Sequence, residues 1–157
     1  MLAYVGWGVP FNQPLVLVTD STAQADRVAT DLLRIGYEEV RGYLPFTKWA
    51  ADRIPAQLET VDVAEALQIR ASGTLPAYDV RFDSDLRTLP LDRSEHRPID
   101  RVQEWLTEVD DDAMLVSCAA GSRAATVASV LQAAGHRPLV LLDGGAADLV
   151  SPGVLTA

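Results

Sequence analysis

The sequence has one cysteine, one lysine and no long hydrophobic run, and each of these shortages excludes a class of protein. Cys118 has no partner in the chain with which to form a disulfide. No apolar stretch approaches the roughly 18 residues of a membrane helix, and the first residues lack the basic segment and apolar core of a secretory signal. We therefore expect a cytoplasmic protein that makes no use of the membrane.

Positive charge is also scarce. The net charge is −9 and the isoelectric point is near 4.5, so binding to nucleic acid or to an anionic membrane by general electrostatics is not expected. Lys48 is the one lysine, and the other basic residues are arginines, which suit planar recognition of oxyanions. The chain contains no His-x-His-x-Asp-His pattern, so no metal centre is expected.

Two segments have the pattern of a strand, a loop and an amphipathic helix. The first begins at residues 15–20 and ends at Gly36, and the second begins at residues 113–118 and ends at Gly135. Each opens with a nearly continuous apolar run, which is typical of a strand buried in a parallel sheet. Asp20 aligns with Cys118 at an offset of 98 residues, and the two glycines align at 99. This indicates an internal repeat whose first copy has lost the cysteine.

The remaining patterns predict an α/β protein with a mainly parallel central sheet flanked by helices. Asp62 and Glu65 form a capping-box pattern at the start of a helix. Residues 77–81 are predicted to form a strand, residues 99–109 a helix, and residues 44–55 the end of the first unit and a linker. Residues 56–157 then make a complete domain, and residues 1–55 a partial, inactive unit. An incomplete unit exposes sheet edge, so we expect a homodimer or a missing N-terminal domain to cover it.

The loop after Cys118 has the composition of an anion-binding turn. It lies beyond the carboxyl end of a predicted strand, where sites form in open α/β sheets. Its small residues let successive backbone N–H groups turn inward, and the helix that begins near Ser122 adds its own N–H groups and its dipole. Arg123 adds a permanent positive charge. Such surroundings stabilise a thiolate, which is the nucleophilic form of cysteine.

Three segments resemble the rhodanese family. The loop has the family's Cys-x-x-Gly-x-Arg pattern followed by a small residue, an earlier strand ends in Asp-Val-Arg, and a later one is followed by Gly-Gly. The matching residues are Cys118, Gly121, Arg123, Ala124, Asp79, Val80, Arg81, Gly144 and Gly145.

The resemblance implies a thiosulfate sulfurtransferase-like enzyme that needs no cofactor. Cys118 would carry sulfane sulfur as a covalent persulfide, from thiosulfate or a persulfide donor to a thiol, cyanide or a protein acceptor. Asp79 and Arg81 would be accessory residues, with Arg81 acting either on the electrostatics of the site or in a structural ion pair. The anion-binding loop would comprise Ala119, Ala120, Gly121, Ser122 and Arg123.

The partial first unit resembles the inactive half of tandem rhodanese proteins that follow a metallo-β-lactamase-fold domain. The chain also departs from the family pattern. The Gly-His-Ile-Pro-Gly-Ala segment expected after Asp-Val-Arg is missing, and residues 95–98 are its nearest remnant. No aromatic residue follows Gly145. His96 and His136 are expected to lie at the surface, outside the chemistry.

Other functions compete with sulfur transfer. A phosphatase or arsenate reductase would also use a Cys–Arg loop, but those loops place five or more residues between the two, and here only four intervene. A binding or regulatory module would keep the fold and leave Cys118 unreactive. A sulfur relay to a protein acceptor would form the persulfide but turn over thiosulfate poorly.

Overall fold

The computed structural model describes residues 2–51 and 56–150, which divide into two compact units at Gln57 and Leu58. The first unit has two parallel strands, β1 and β2, and three helices. Its core is small and includes Ala25, Leu32 and Tyr37. Its elements are α1 Leu2–Gly8, β1 Leu15–Thr19, α2 Thr22–Arg34, β2 Val40–Pro45 and α3 Phe46–Ala51.

The second unit is built on five strands, all parallel, in the order β3-β7-β6-β4-β5. This confirms the predicted class, an α/β protein with a mainly parallel central sheet flanked by helices. Its strands are β3 Glu59–Val61, β4 Ala77–Asp79, β5 Glu95–His96, β6 Ala113–Ser117 and β7 Arg137–Leu141. Its helices are α4 Val63–Ser72, α5 Asp83–Thr88, α6 Val102–Trp105, α7 Ser122–Ala133 and α8 Ala146–Leu149, with 3-10 turns at Ile99–Arg101 and Leu106–Glu108.

Strand β6 is the middle strand of the five and the most deeply buried. Met114, Leu115 and Val116 are each fully buried, which is why this part of the sequence is continuously apolar. The register places Asp79 of β4 beside Ser117 of β6, and His96 of β5 beside Asp79. The carboxyl ends of the three neighbouring strands therefore meet at one edge, next to Cys118.

Local signals predicted several element boundaries correctly. The capping box at α4 is present, with Asp62 Oδ1 accepting from the Glu65 N–H at 2.8 Å and Glu65 Oε2 accepting from the Asp62 N–H at 3.1 Å. Helix α4 ends at Gly73 in the left-handed conformation, as expected for a helix C-terminus. Helix α7 begins at Ser122 as predicted.

Three expectations about the elements were wrong in part. Residues 44–51 are not a linker, because β2 runs to Pro45 and α3 follows at once; residues 52–55 lie outside the described part. The strand predicted over 77–81 ends at Asp79, and the helix predicted over 99–109 consists of three short turns of alternating type. None of the helices within residues 2–51 and 56–150 is long and apolar enough to cross a membrane.

Candidate active site

Cys118 is the first residue after β6, and its side chain is only 1% exposed. The backbone N–H of Ala124, in the first turn of α7, points at the thiol, with 3.4 Å between the nitrogen and Sγ. The carbonyl of Cys118 accepts a hydrogen bond from the Ala146 N–H at 2.8 Å, which joins it to the start of α8. The Cys118 sulfur therefore lies at the N-terminal end of α7, and the Cys118 backbone is hydrogen-bonded to the start of α8.

Two glycines make this loop conformation accessible. Gly121 has a φ of +82°, which side-chain-bearing residues rarely adopt, and a Cβ there would lie 2.3 Å from the carbonyl oxygen of Leu142. A Cβ on Gly145 would lie 1.9 Å from the carbonyl oxygen of Ala119. The loop thus packs directly against the backbone that follows β7, which is why both the Cys-x-x-Gly and the Gly-Gly patterns are needed.

The N–H groups at the start of α7 face the loop. The first four N–H groups of any helix lack a partner inside the helix. Here Ser122 donates to Ala120 at 3.1 Å and Ala125 to Gly121 at 2.8 Å, while Ala124 donates to Sγ. Within residues 2–51 and 56–150, the Arg123 N–H donates no backbone hydrogen bond. That donor is available for an atom attached to the sulfur.

The Arg123 side chain is engaged by a carboxylate. Its Nη1 donates to Asp85 Oδ2 at 2.7 Å, and its guanidinium lies 4.9 Å from the centre of the Phe82 ring. The hydrogen bond from Arg123 lowers the pKa of Asp85 below its ordinary value, against a smaller opposing effect of burial. Asp85 was not predicted from the sequence as part of the site, because it lies 38 positions from Arg123 and no local pattern links the two.

Asp79 and Arg81 form a buried ion pair at the end of β4. The Arg81 guanidinium bonds both carboxylate oxygens of Asp79, with Nε to Oδ1 at 2.9 Å and Nη2 to Oδ2 at 2.6 Å. Arg81 Nη2 also donates to the carbonyl of Leu89 at 2.9 Å. This geometry is that of the structural ion pair, which the sequence left open beside an electrostatic role.

Both histidines make hydrogen bonds to backbone carbonyls, and Asp20 belongs to the first unit. His96 Nε2 donates to the carbonyl of Arg81 at 2.8 Å, and His136 Nδ1 to that of Asp111 at 2.8 Å, since a carbonyl can only accept. Both histidines therefore tie backbone segments together. Asp20 is exposed in the first unit, and its N–H donates to Gln24 Oε1 at 3.0 Å.

No family model and no curated protein matches the chain. Solved structures do. A rhodanese-like domain protein from Staphylococcus aureus superposes with a TM-score of 0.53 at 21% identity, covering 61% of this chain and 95% of that one. The five-stranded unit has a rhodanese-like fold.

Two further structures are similar to the chain in fold. A single-domain sulfurtransferase from Saccharomyces cerevisiae gives a TM-score of 0.51 at 13% identity, covering 63% of this chain and all of the other. A protein from Rhodopseudomonas palustris, described as a possible tyrosine phosphatase, gives 0.50 at 23% identity, with 56% and 76% covered. At these sequence identities the structural likeness shows the fold alone.

The described residues contain no group of three or more His, Cys, Asp or Glu side chains placed to hold a metal ion.

Proposed function

We propose that this protein is a sulfurtransferase that carries sulfane sulfur as a persulfide on Cys118. The observation that carries the proposal is the position of Sγ, 3.4 Å from the Ala124 nitrogen at the start of α7, in a loop that only glycine at position 121 permits. Helix N-termini and converging N–H groups stabilise a thiolate, and they stabilise equally an anion on the sulfur attached to it.

In the first step, the Cys118 thiolate attacks the outer sulfur of the donor. With thiosulfate, the S–S bond of the donor breaks, sulfite leaves with the bonding electron pair, and Cys118 becomes Cys–S–S⁻. In the second step, cyanide or a thiolate attacks the outer sulfur and restores the thiolate. The Arg123 N–H, which donates no backbone hydrogen bond among the described residues, is a donor for the terminal sulfur of the intermediate.

The test is the intact mass of the protein after incubation with thiosulfate or with an alkyl persulfide. We expect a gain of one sulfur atom, its loss on adding cyanide, and no gain in Cys118→Ser. Serine is nearly isosteric with cysteine, so the variant should keep the thermal stability of the wild type. Sulfur transfer retained by Cys118→Ser would overturn the mechanism.

One observation favours a second candidate, a binding or regulatory module without turnover. The Cys118 side chain is 1% exposed, so a donor reaches the sulfur only where the loop's small side chains give way. Alkylation separates the two functions. A thiol that gains no sulfur and also resists iodoacetamide in the native protein would support the module, whereas a thiol that reacts with iodoacetamide and gains sulfur supports the transferase.

Phosphate-ester hydrolysis is the less favoured chemistry. Four residues separate Cys118 from Arg123, and the Arg123 guanidinium is bound to Asp85 at 2.7 Å. A phosphate group needs that guanidinium, together with a longer loop to surround its oxygens. We therefore expect no hydrolysis of p-nitrophenyl phosphate above the rate of Cys118→Ser.

A further inference from the structure

The Asp85 carboxylate is positioned by its own helix as well as by Arg123. Its Oδ2 accepts a hydrogen bond from the Phe82 N–H at 3.1 Å, and so caps the start of α5. The same oxygen accepts from Arg123 Nη1 at 2.7 Å. Because this hydrogen bond sets the position of the carboxylate, Asp85 determines where the Arg123 guanidinium lies.

This pairing leaves little positive charge for a ligand at the loop. The Arg123 side chain is only 15% exposed, with the Phe82 ring on one side of the guanidinium and Asp85 at hydrogen-bond distance. A cation and an anion so close act on a more distant charge as a dipole, whose field falls off faster than that of a lone charge. The charge of Arg81 is balanced in the same way by Asp79.

The exposed side chains of the loop carry no charge either. Ala119, Ala120 and Ser122 are the exposed residues between β6 and the first turn of α7, and all three are neutral. The chain as a whole has a net charge of −9, which repels a multiply charged anion. Thiosulfate carries two negative charges at neutral pH, whereas an organic persulfide, R–S–SH, with a neutral R group carries at most one.

We infer that Asp85 sets the donor class of this site: by holding Arg123, it makes the site take sulfur from an organic persulfide in preference to thiosulfate. The inference rests on the function proposed above. The Cys118 thiolate attacks the outer sulfur of R–S–SH, the donor's S–S bond breaks, and R–S⁻ leaves with the bonding pair, so that Cys–S–SH forms. Asp85 touches neither donor nor sulfur and acts through Arg123, as a positioning residue.

The experiment compares the loading of Cys118 by thiosulfate and by the persulfide of 2-mercaptoethanol. The rates are measured in wild type and in three variants at several donor concentrations. Asp85→Asn keeps an oxygen that can cap α5 and removes the charge, while Asp85→Glu keeps the charge. Asp110→Asn is the control for net charge, because Asp110 is exposed and precedes β6, at the opposite end of that strand from Cys118.

We expect wild type to favour the alkyl persulfide, and Asp85→Asn to shift the ratio of the two kcat/KM values about tenfold towards thiosulfate, the effect of one unscreened charge nearby. The shift should come from a lower KM for thiosulfate, with kcat nearly unchanged, since the reacting groups are the same. Asp85→Glu and Asp110→Asn should keep the wild-type ratio.

Equal or better loading of wild type by thiosulfate would overturn the inference and leave the proposed function standing. So would an Asp85→Asn variant whose rates with both donors fall together, since that is the result of a merely structural role. If Cys118 gains sulfur from neither donor, the proposed function fails, and the inference fails with it.

Discussion

The two strand–loop–helix segments share a sequence pattern and differ in what lies between strand and helix. Two residues separate β1 from α2, whereas four separate β6 from α7. Helix α2 is one residue longer than α7, which explains why the alignment offset grows by only one from strand to glycine. The two additional loop residues allow the chain to curl around Cys118.

The two helix N-termini use their N–H groups differently. In the first segment, Ser21 caps α2 by accepting from the Gln24 N–H at 3.3 Å, and the Gln24 side chain accepts from the Asp20 N–H. In the second, Gly121 stands at the cap position and offers no side chain, so the Ala124 N–H points at Sγ. A helix whose first turn is capped by a side chain of its own chain has fewer unpaired N–H groups for binding a ligand.

Burial separates the two strands as well. Val16 and Val18 of β1 are 62% and 43% exposed, while Met114 and Val116, their counterparts at the offset of 98, are fully buried. Strand β6 has a strand on each side, but β1 pairs only with β2 in the described residues. A similar apolar run is thus a central strand in one unit and a half-exposed strand in the other, and the difference is made by elements far away in sequence.

The largest effect is expected from replacing the glycine that the conformation of the Cys118 loop requires. Gly121→Ala would combine a φ of +82° with a Cβ 2.3 Å from the Leu142 carbonyl, so we expect a loss of about 3 kcal/mol or more and no sulfur loading. Gly135→Ala is the matched control, because its φ is +102° but nothing lies within 4 Å of the added carbon. It should lose only about 1 to 2 kcal/mol, the strain alone.

Urea unfolding of both glycine variants measures this difference. Equal losses in the two would show that the packing of the loop against residue 142 contributes nothing, and that any residue tolerating the backbone angle would serve at position 121.

The features that could be predicted from the sequence are those determined by residues close together in the chain. The strand before Cys118, the start of α7 at Ser122 and the capping box at Asp62 are each specified by residues within a few positions. Residues 44–55 were expected to form the end of the first unit and a linker, whereas Pro45 is the last residue of β2, a place in a sheet where a missing N–H is tolerated.

What could not be predicted depends on contacts between distant segments. Asp85 and Arg123 meet only because β4 and β6 are neighbours in the sheet, so that the turn after β4 approaches the loop after β6. Helix α5 itself has only six residues and too short an apolar pattern to predict. The sequence therefore predicts the cysteine and its loop, but not the carboxylate that pairs with Arg123.

A smaller effect is expected at the first helix. Ser21→Ala removes the oxygen that accepts from Gln24, and should cost about 1 kcal/mol of the stability of the first unit, whereas Ser21→Asp keeps an acceptor and should cost little. Thermal unfolding followed by circular dichroism measures both. Equal melting temperatures for wild type and Ser21→Ala would show that α2 does not depend on this cap, and would remove one of the differences drawn between the segments.

The smallest effect is expected from introducing a thiol into the first segment, which should give no sulfur loading there. In a Cys118→Ser background, Asp20→Cys places a thiol after β1 at the position that corresponds to 118. The loop is two residues shorter, Ser21 already uses the Gln24 N–H, and neither of its two residues is a glycine. We expect iodoacetamide to modify this exposed thiol readily, which shows that it is accessible. We expect it to gain no sulfur from thiosulfate or from an alkyl persulfide. Sulfur gain at the introduced thiol would mean that a cysteine at the carboxyl end of a strand suffices, and that the proposed sulfur loading of Cys118 does not depend on the four-residue loop.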